Sequence, residues 1–359
     1  MLENPMATQY TVGVFPGDGQ GPPVIEAAKK VLTSAGVKFG FSIHFKEYPY
    51  SGDHYLKTGE LLPDDALEEL RELPAILFGG VGHPGVTPGL LSREILLKIA
   101  DRLDLYISER PVRLMPGVKS YLRTKNSEAI DYVIIREHSG GLNGKIGGST
   151  LKGTPGEIAQ ENLMYSRYQV ERCLRYAFAV AASPNRKGKL TLSSKSSLQP
   201  HVYDLWSRVF KEIGEAEFPQ IERNYIEIDD ICMQLVRYPE IFDVIVTGNL
   251  TGDILANVGA VSQGGAGYAS IGSLHPGKTG MFGPMRASAE FYETSHLQAN
   301  PIAAIGAATM LLRYLGQDAA AAKIEEAMII TLATEVIAEG TLLSRFQTLE
   351  VAQMIINRL

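Results

Sequence analysis

The chain has 359 residues, 45% of them hydrophobic, and a formal net charge of −6. This length exceeds what one hydrophobic core usually supports, so we expect two domains, and the composition is that of a folded globular protein. The negative charge, without a long basic run, argues against a nucleic-acid-binding surface. No apolar stretch of about 20 residues and no signal-peptide pattern occurs, so we expect a cytoplasmic protein that does not bind membranes.

Strand-length apolar runs alternate with helical stretches along most of the chain. The predicted strands are 10–15, 75–78, 105–107, 131–135, 190–192, 225–228 and 244–246. The predicted helices are 23–35, 93–103, 161–182, 202–213, 231–237, 301–315, 319–339 and 349–358. This alternation predicts an α/β fold with a largely parallel sheet. The segment 139–154 is rich in Gly, Ser and Thr and predicts a protruding loop or hairpin arm.

Two common kinds of site are not predicted. The glycine-rich turn after the first strand, GDGQG at 17–21, lacks the GxGxxG spacing of a Rossmann dinucleotide site. The only two cysteines, Cys173 and Cys232, have no metal-binding spacing. We therefore expect buried, inert thiols and neither a disulfide nor a zinc site.

Acidic residues follow two of the predicted strands. Asp229 comes after the strand 225–228, and Asp253 opens a helix after the strand 244–246. Asn257 lies four residues beyond Asp253 and hence on the same helical face. Oxygen donors that converge in this way suit Mg²⁺ or Mn²⁺. On spacing alone, however, the simpler interpretation is that Asp253 only stabilises a helix N-terminus.

Three basic residues also lie near strand ends. Arg110 and Arg136 are expected at or just past the ends of apolar strands, where a guanidinium can bind a carboxylate in bidentate fashion. Lys195 follows the strand 190–192, and a lysine beside a metal can have its pKa lowered and act as a base. Taken singly, each arginine could equally form a structural ion pair, and the lysine could simply be a surface residue.

Seven strings in order extend these observations to nearly the whole chain: PGDGQGP, LDLYISERPVRLMPGV, DYVIIRE, LTLSSKSSL, IDDICMQLVRYPEIFDVIVTGNLTGDIL, GGAGYASIGS and ANPIAAIGAA. Together they resemble the β-decarboxylating dehydrogenases, which act on isopropylmalate, isocitrate, homoisocitrate and tartrate or malate. The resemblance implies a two-domain, non-Rossmann α/β fold of the isopropylmalate/isocitrate dehydrogenase type. Residues 1–105 and 264–359 would form the large cofactor-side domain, and 106–263 a second domain with the arm and a dimer interface.

The resemblance also implies roles for individual residues. The substrate is expected to be a small malate-like hydroxy acid, the cofactors NAD and Mg²⁺ or Mn²⁺, and the assembly a homodimer in which the lysine reaches into the partner's site. Arg110 and Arg136 would bind the substrate carboxylate, and Lys195 would relay a proton. The remaining implied residues are the metal ligands Asp229, Asp253 and Asn257, and the cofactor contacts Ser197 and Asn300.

Four positions depart from the family pattern. Asn143 stands where a proton-donating tyrosine is expected, and Asn257 where an aspartate is expected. Ala100 replaces the first substrate arginine, although Arg102 is near enough to substitute. The cofactor loop departs most, with Glu290 or Glu293 as stand-ins for the acidic residue that binds the ribose. Its predicted cofactor contacts are Arg286, Ala287, Ser288, Ala289 and Glu290.

These departures leave three functional hypotheses. The leading one is an NAD(P)-dependent, metal-assisted oxidation of an unusual malate-like acid, with or without decarboxylation. The second is an ordinary 3-isopropylmalate dehydrogenase. The third is a regulatory subunit that pairs with an intact paralogue. NAD is preferred over NADP because Phe291-Tyr292 stands where a Lys-Tyr pair would hold a 2′-phosphate.

Overall fold

The computed structural model describes residues 8–122, 127–144, 146–285, 299–335 and 346–359. Its strands are β1 (Thr8–Phe15), β2 (Phe41–Glu47), β3 (Ala75–Phe78), β4 (Ile107–Arg113), β5 (Asp131–Glu137), β6 (Gly147–Thr150), β7 (Ile158–Glu161), β8 (Lys189–Ser194), β9 (Glu222–Glu227), β10 (Val244–Thr247), β11 (Ser270–Leu274) and β12 (Gly280–Pro284). Its α-helices are α1 (Gly21–Phe39), α2 (Gly52–Thr58), α3 (Asp64–Arg71), α4 (Lys98–Arg102), α5 (Arg167–Ala181), α6 (Pro200–Ala216), α7 (Ile228–Arg237), α8 (Asn249–Ser262), α9 (Ile302–Tyr314), α10 (Asp318–Glu335) and α11 (Thr348–Ile356), and a π-helix, Ser92–Leu97, directly precedes α4.

The chain divides into two compact units. The first comprises residues 1–105, 115–121 and 263–359, and the second comprises 106–114 and 122–262. The sequence had placed 115–121 in the second domain. The segment groups with the first unit, where Gly117 lies so close to Leu332 that a Cβ on it would be 2.4 Å from the Leu332 carbonyl oxygen.

The first unit is built on five strands in the order β2-β1-β3-β12-β11, of which only the β11–β12 pair is antiparallel. Helix α1 packs against α9 and α11 and contributes a buried apolar face. It ends at Gly40, whose φ of 79° is the left-handed conformation that glycine adopts without strain. The core of this unit includes Phe15, which stacks on Tyr48 with ring centroids 5.1 Å apart.

The second unit carries the strands β4-β5-β10-β8-β9, with β4 antiparallel to β5 and the others parallel. Every residue of β10 is buried, as expected for a central strand covered on both faces. Thr247 at the end of β10 pairs with Arg136 of β5 and with Ser193 of β8. The carboxyl ends of these parallel strands therefore meet, which is where ligands collect in α/β sheets.

An exposed hairpin leaves the second unit. Strands β6 and β7 pair antiparallel, with Gly147 opposite Glu161, and all their residues are exposed. The structure thus contains the predicted arm, although its strands run on to residue 161. For that reason the helix predicted over 161–182 begins only at Arg167, where Ser166 and Gln169 form a capping box.

Two further sequence predictions need correction. The strand predicted over 105–107 is β4, which continues to Arg113 because it pairs with β5 along its whole length. Arg110 consequently lies inside a strand and not at its end. Asp253 does not open its helix, since α8 starts four residues earlier at Asn249. Among the described residues, no helix is long and apolar enough to span a membrane.

Candidate active site

Two buried arginines define the centre of the candidate site in the second unit. Arg110 on β4 and Arg136 on β5 are each 9% exposed. Ser108 pairs with Arg136 and Arg110 with Ile134, so the alternation of side chains places both arginines on one face of the sheet. Arg110 Nε donates to Ser108 Oγ at 2.9 Å. Burial, reinforced by the neighbouring charge of Arg136, lowers the pKa of Arg110 to about 10.

One carboxylate faces this pair of cations. Asp253 Oδ1 accepts a 2.6 Å hydrogen bond from Arg136 Nη1 and lies 3.7 Å from Arg110 Nη2. The Asp253 side chain is 50% exposed, whereas both guanidiniums are buried. Arg136 Nε is also buried and has no hydrogen-bond partner in the described part of the chain. Among the described residues Asp253 is the carboxylate in direct contact with these guanidiniums, and the buried Glu137 acts on Arg136 at longer range. Because Asp253 is half-exposed and both guanidiniums are buried, the pair favours an anionic ligand.

The loop after β5 is fixed by buried hydrogen bonds. The carboxylate of Glu137, which is fully buried, accepts from Ser139 N at 3.0 Å and from Gly140 N at 2.7 Å. Burial raises the pKa of Glu137, although these hydrogen bonds favour the ionised form and oppose the shift. Asn143 Nδ2 donates to the His138 carbonyl oxygen at 2.9 Å. Asn143, which stands where the resemblance predicts a proton-donating tyrosine, therefore forms a hydrogen bond within its own loop.

Lys195 and Asp229 form a second group. Lys195 follows β8 directly and its Nζ donates to Asp229 Oδ2, on the second residue of α7. This hydrogen bond raises the pKa of Lys195, whereas the sequence had suggested a lowered one. Beside them, Ser196 donates to Glu227, a contact that the sequence did not indicate.

The predicted metal ligands do not converge within one chain. Asp229 pairs with Lys195, Asp253 pairs with the arginines, and no contact joins the two aspartates. Asn257 Nδ2 donates to the backbone carbonyl of Asp253 at 2.9 Å, a bond within α8. In the described ranges no three His, Cys, Asp or Glu side chains form a metal-binding group. Carboxylate and amide oxygens are suitable ligands for a hard cation such as Mg²⁺. Within a single chain, however, too few of these oxygens lie close together to bind one.

The predicted residues of the first unit have other surroundings. Arg102 is exposed and its Nη2 lies 3.8 Å from Asp64, while Ala100 is buried in the apolar core. Asn300 Oδ1 accepts from Ile302 N at 3.1 Å. The proposed cofactor loop, Arg286 to Glu293, lies outside the described residues. Ser197, in the second unit, is exposed in the turn after β8.

The sequence did not indicate two residues that support Arg136. Asn249, the first residue of α8, hydrogen bonds to Arg136 Nη2 at 2.7 Å, and Tyr165 hydrogen bonds to the Asn249 backbone. Asn249 lies inside the string GNLTGDILAN, which the sequence had already assigned to the candidate site. Tyr165 lies 84 positions away in the chain, and no local pattern connects it to the site.

The fold is a largely parallel α/β sheet, and its second unit holds the buried arginines Arg110 and Arg136 and, as a separate group, the Lys195–Asp229 pair. The family model for isocitrate/isopropylmalate dehydrogenase matches residues 11–355. The chain belongs to this family, and it is an enzyme of the decarboxylating hydroxyacid dehydrogenase class.

Individual relatives agree with this assignment. The chain is 40% identical over 324 residues to 3-isopropylmalate dehydrogenase from Thermobifida fusca, which covers 90% of this chain and 91% of the relative. It is 42% identical over 325 residues to the same enzyme from Corynebacterium glutamicum, with 90% and 93% coverage. The crystal structure of isocitrate dehydrogenase from Methylococcus capsulatus superposes with a TM-score of 0.85 at 28% identity, covering 97% of this chain and 99% of that one.

Proposed function

We propose that this enzyme is a 3-isopropylmalate dehydrogenase, which oxidises the 2-hydroxyl of its substrate with NAD⁺ and releases carbon dioxide. The observation that carries the proposal is the buried pair Arg110 and Arg136, whose charge Asp253 only partly balances. A malate-type dicarboxylate supplies the missing negative charge. The relatives of about 40% identity that bear this name support the same substrate.

In this proposal the arginines bind and orient the substrate. Each guanidinium has a planar set of donors, and a carboxylate held by two of them is fixed in position and in rotation. Because both guanidiniums are buried, they exchange little water when the ligand arrives, and their contacts with it are strong. Arg136 is bound on one side by Asp253 and on the other by Asn249, so it is oriented before the substrate binds.

Lys195 is the residue proposed to exchange the proton of the substrate hydroxyl. Its contact with Asp229 raises its pKa, so it carries its proton at neutral pH while that contact lasts. Lys195 can accept a proton only after it has passed its own to solvent or to another group. In this proposal Asp229 therefore positions the Lys195 ammonium group and, by raising its pKa, determines when the amine can accept a proton.

Two groups supplied from solution complete the proposal. Bound NAD⁺ would accept the hydride, and a bound Mg²⁺ or Mn²⁺ would polarise the hydroxyl and the ketone derived from it. Asp229 and Asp253 are the carboxylates proposed to hold the metal ion. Asn257 is proposed as a neutral ligand beside them, which should weaken the affinity for the cation.

We infer a homodimer in which each site uses residues of both copies. Lys195 and Asp229 make no contact with Asp253 in one chain, so the site is completed if a second copy brings one of the two groups. Exposed apolar side chains on α7 and α8 support such an interface. They are Met233, Val236, Leu250, Ile254 and Val261.

Purified enzyme should form NADH from 3-isopropylmalate in the presence of NAD⁺ and Mn²⁺, and the gene should restore growth of a leucine auxotroph. Lys195→Met should abolish both effects, while Lys211→Met, at an exposed position on α6, should retain them. If 3-isopropylmalate produces no NADH, then the proposed substrate is wrong.

A second candidate is the oxidation of a different malate-like acid, with slow or absent decarboxylation. It is favoured by the contact between Asn143 and the His138 carbonyl, because an amide cannot supply the proton that the expected tyrosine would give. A panel of 3-substituted malates, tartrate and isocitrate distinguishes the two candidates. The second is supported if another acid gives more NADH than 3-isopropylmalate and releases less than one carbon dioxide per NADH.

A further inference from the structure

The orientation of Arg136 is set by the side chain of Asn249. Arg136 Nη2 donates to Asn249 Oδ1 at 2.7 Å, and Asn249 is only 4% exposed. The amide group of Asn249 cannot rotate, because its Nδ2 donates to the carbonyl oxygens of His138 at 3.1 Å and Gly140 at 3.0 Å. Turning the amide over would place two donors against Arg136 and an oxygen against two carbonyls. The amide is thereby held with its oxygen toward the guanidinium.

Asn249 is in turn held through its backbone by Tyr165. The Tyr165 hydroxyl oxygen accepts from Asn249 N at 2.7 Å, which satisfies an amide at the start of α8. The ring packs edge-on against Trp206, with centroids 5.5 Å apart. Burial raises the pKa of Tyr165, so its hydroxyl is neutral at physiological pH. Tyr165 thus joins the first turn of α8 to the buried face of α6.

Two glycines make room for this hydroxyl. A Cβ on Gly248 would lie 2.5 Å from the Tyr165 hydroxyl oxygen, and a Cβ on Gly141 would lie 2.6 Å from it. Gly141 also has a φ of +68°, which favours glycine independently. The backbone of both loops therefore closes tightly around the phenol.

We propose that Tyr165 and Asn249 are positioning residues for Arg136. Tyr165 fixes Asn249, Asn249 fixes the guanidinium, and the guanidinium then meets the substrate carboxylate in one orientation. In this proposal neither residue reacts with the substrate, and each acts on substrate binding through Arg136. This inference rests on the proposed role of Arg136 in binding the substrate.

Tyr165→Phe removes the hydroxyl and leaves the ring in place. We expect the KM for 3-isopropylmalate to rise about fivefold to tenfold while kcat stays within about twofold, because the lost interaction serves binding. Asn249→Ala should raise KM further. The matched control is Tyr10→Phe, which removes a partly buried hydroxyl that bonds to Leu315 and Gln317 in the first unit. It should lower thermal stability comparably and leave KM unchanged.

The crystal structure of the Tyr165→Phe enzyme gives a readout that does not depend on activity. We expect the distance between Arg136 Nη2 and Asn249 Oδ1 to lengthen by more than about 0.5 Å relative to the unsubstituted enzyme. An unchanged distance, or a KM no different from that of the Tyr10→Phe control, overturns the inference. If the unsubstituted enzyme does not oxidise 3-isopropylmalate, the proposed function fails, and the structural comparison still decides whether Tyr165 positions Arg136.

Discussion

Asn143 Nδ2 donates a 2.9 Å hydrogen bond to the carbonyl oxygen of His138, five residues earlier in the chain. The same carbonyl accepts from Asn249 Nδ2, so two amide side chains close the loop that follows β5. The resemblance to the family places a proton-donating tyrosine at position 143. In this protein that position serves to shape the loop.

Asn143→Tyr should therefore increase the rate of the complete reaction. A phenol at this position can protonate the enolate left by decarboxylation, and general acids contribute about 10²–10⁴-fold to such steps. We expect kcat to rise at least about tenfold where protonation is the slow step, measured as carbon dioxide and NADH released together. Asn143→Ala removes the same hydrogen bond without supplying a phenol. Equal losses in the two variants would contradict the prediction.

Arg136→Lys should impair the enzyme although it retains the positive charge. A lysine cannot contact Asp253 and Asn249 together, and it does not offer a planar fork to a carboxylate. We expect kcat/KM to fall about 10²-fold, which corresponds to about 2.7 kcal/mol. Arg167→Lys on the exposed surface of α5 is the control and should stay near the unsubstituted value. Similar kinetics for both variants would show that Arg136 does not bind the substrate.

Two inactive variants should complement each other if the site is shared between copies. A heterodimer of Lys195→Ala and Asp253→Asn subunits, purified with two different tags, contains one site with both defects and one intact site. We expect about half of the normal activity per dimer. A heterodimer of Lys195→Ala and Asp229→Asn is the control, because these residues contact each other and each site would keep one defect. Activity in the control alone, or in neither, would rule out the shared arrangement.

Glu137→Gln should destabilise the protein in a pH-dependent way. The folded-state pKa of Glu137 lies above the ordinary value of 4.5, because the carboxyl is buried. A group of this kind contributes stability that is complete below the ordinary value and is lost as pH rises through the folded-state value. The difference in unfolding free energy between the two proteins should thus be largest near about pH 4, at about 1–3 kcal/mol, and smaller near about pH 8.

Urea unfolding at several pH values measures this difference. Glu215→Gln, at an exposed site on α6, should show no comparable trend. A difference that grows with rising pH would mean that hydrogen bonds from Ser139 and Gly140 outweigh the burial of the carboxylate.

Gly248→Ala should destabilise the protein through Tyr165. The added methyl group would lie 2.5 Å from the phenol oxygen, and we expect a cost of about 1–3 kcal/mol in unfolding free energy. Part of this cost should disappear when Tyr165 is Phe, since the crowded atom is then absent. A double-mutant cycle by urea unfolding measures the coupling. Strictly additive effects would show that the strain lies elsewhere.

The sequence by itself determined the alternation of strands and helices and the family to which the chain belongs. Apolar runs such as 131–135 and 244–246 are strong signals because central parallel strands are buried on both faces. The string GNLTGDILAN contains Asn249 and Asp253, which both contact Arg136, and LTLSSKSSL contains Lys195, whose role stays a prediction. These signals are local in sequence, so they can be recognised without knowing which other elements pack against them.

Only the tertiary structure decided what each site residue contacts. Arg110 lies inside β4 because pairing with β5 lengthens that strand, and pairing partners are distant in sequence. Tyr165 reaches Asn249 across 84 positions, and Asp229 contacts Lys195 but not Asp253. The order of residues gives their chemistry. Their contacts depend on how the strands associate, and no short stretch of the chain encodes that association.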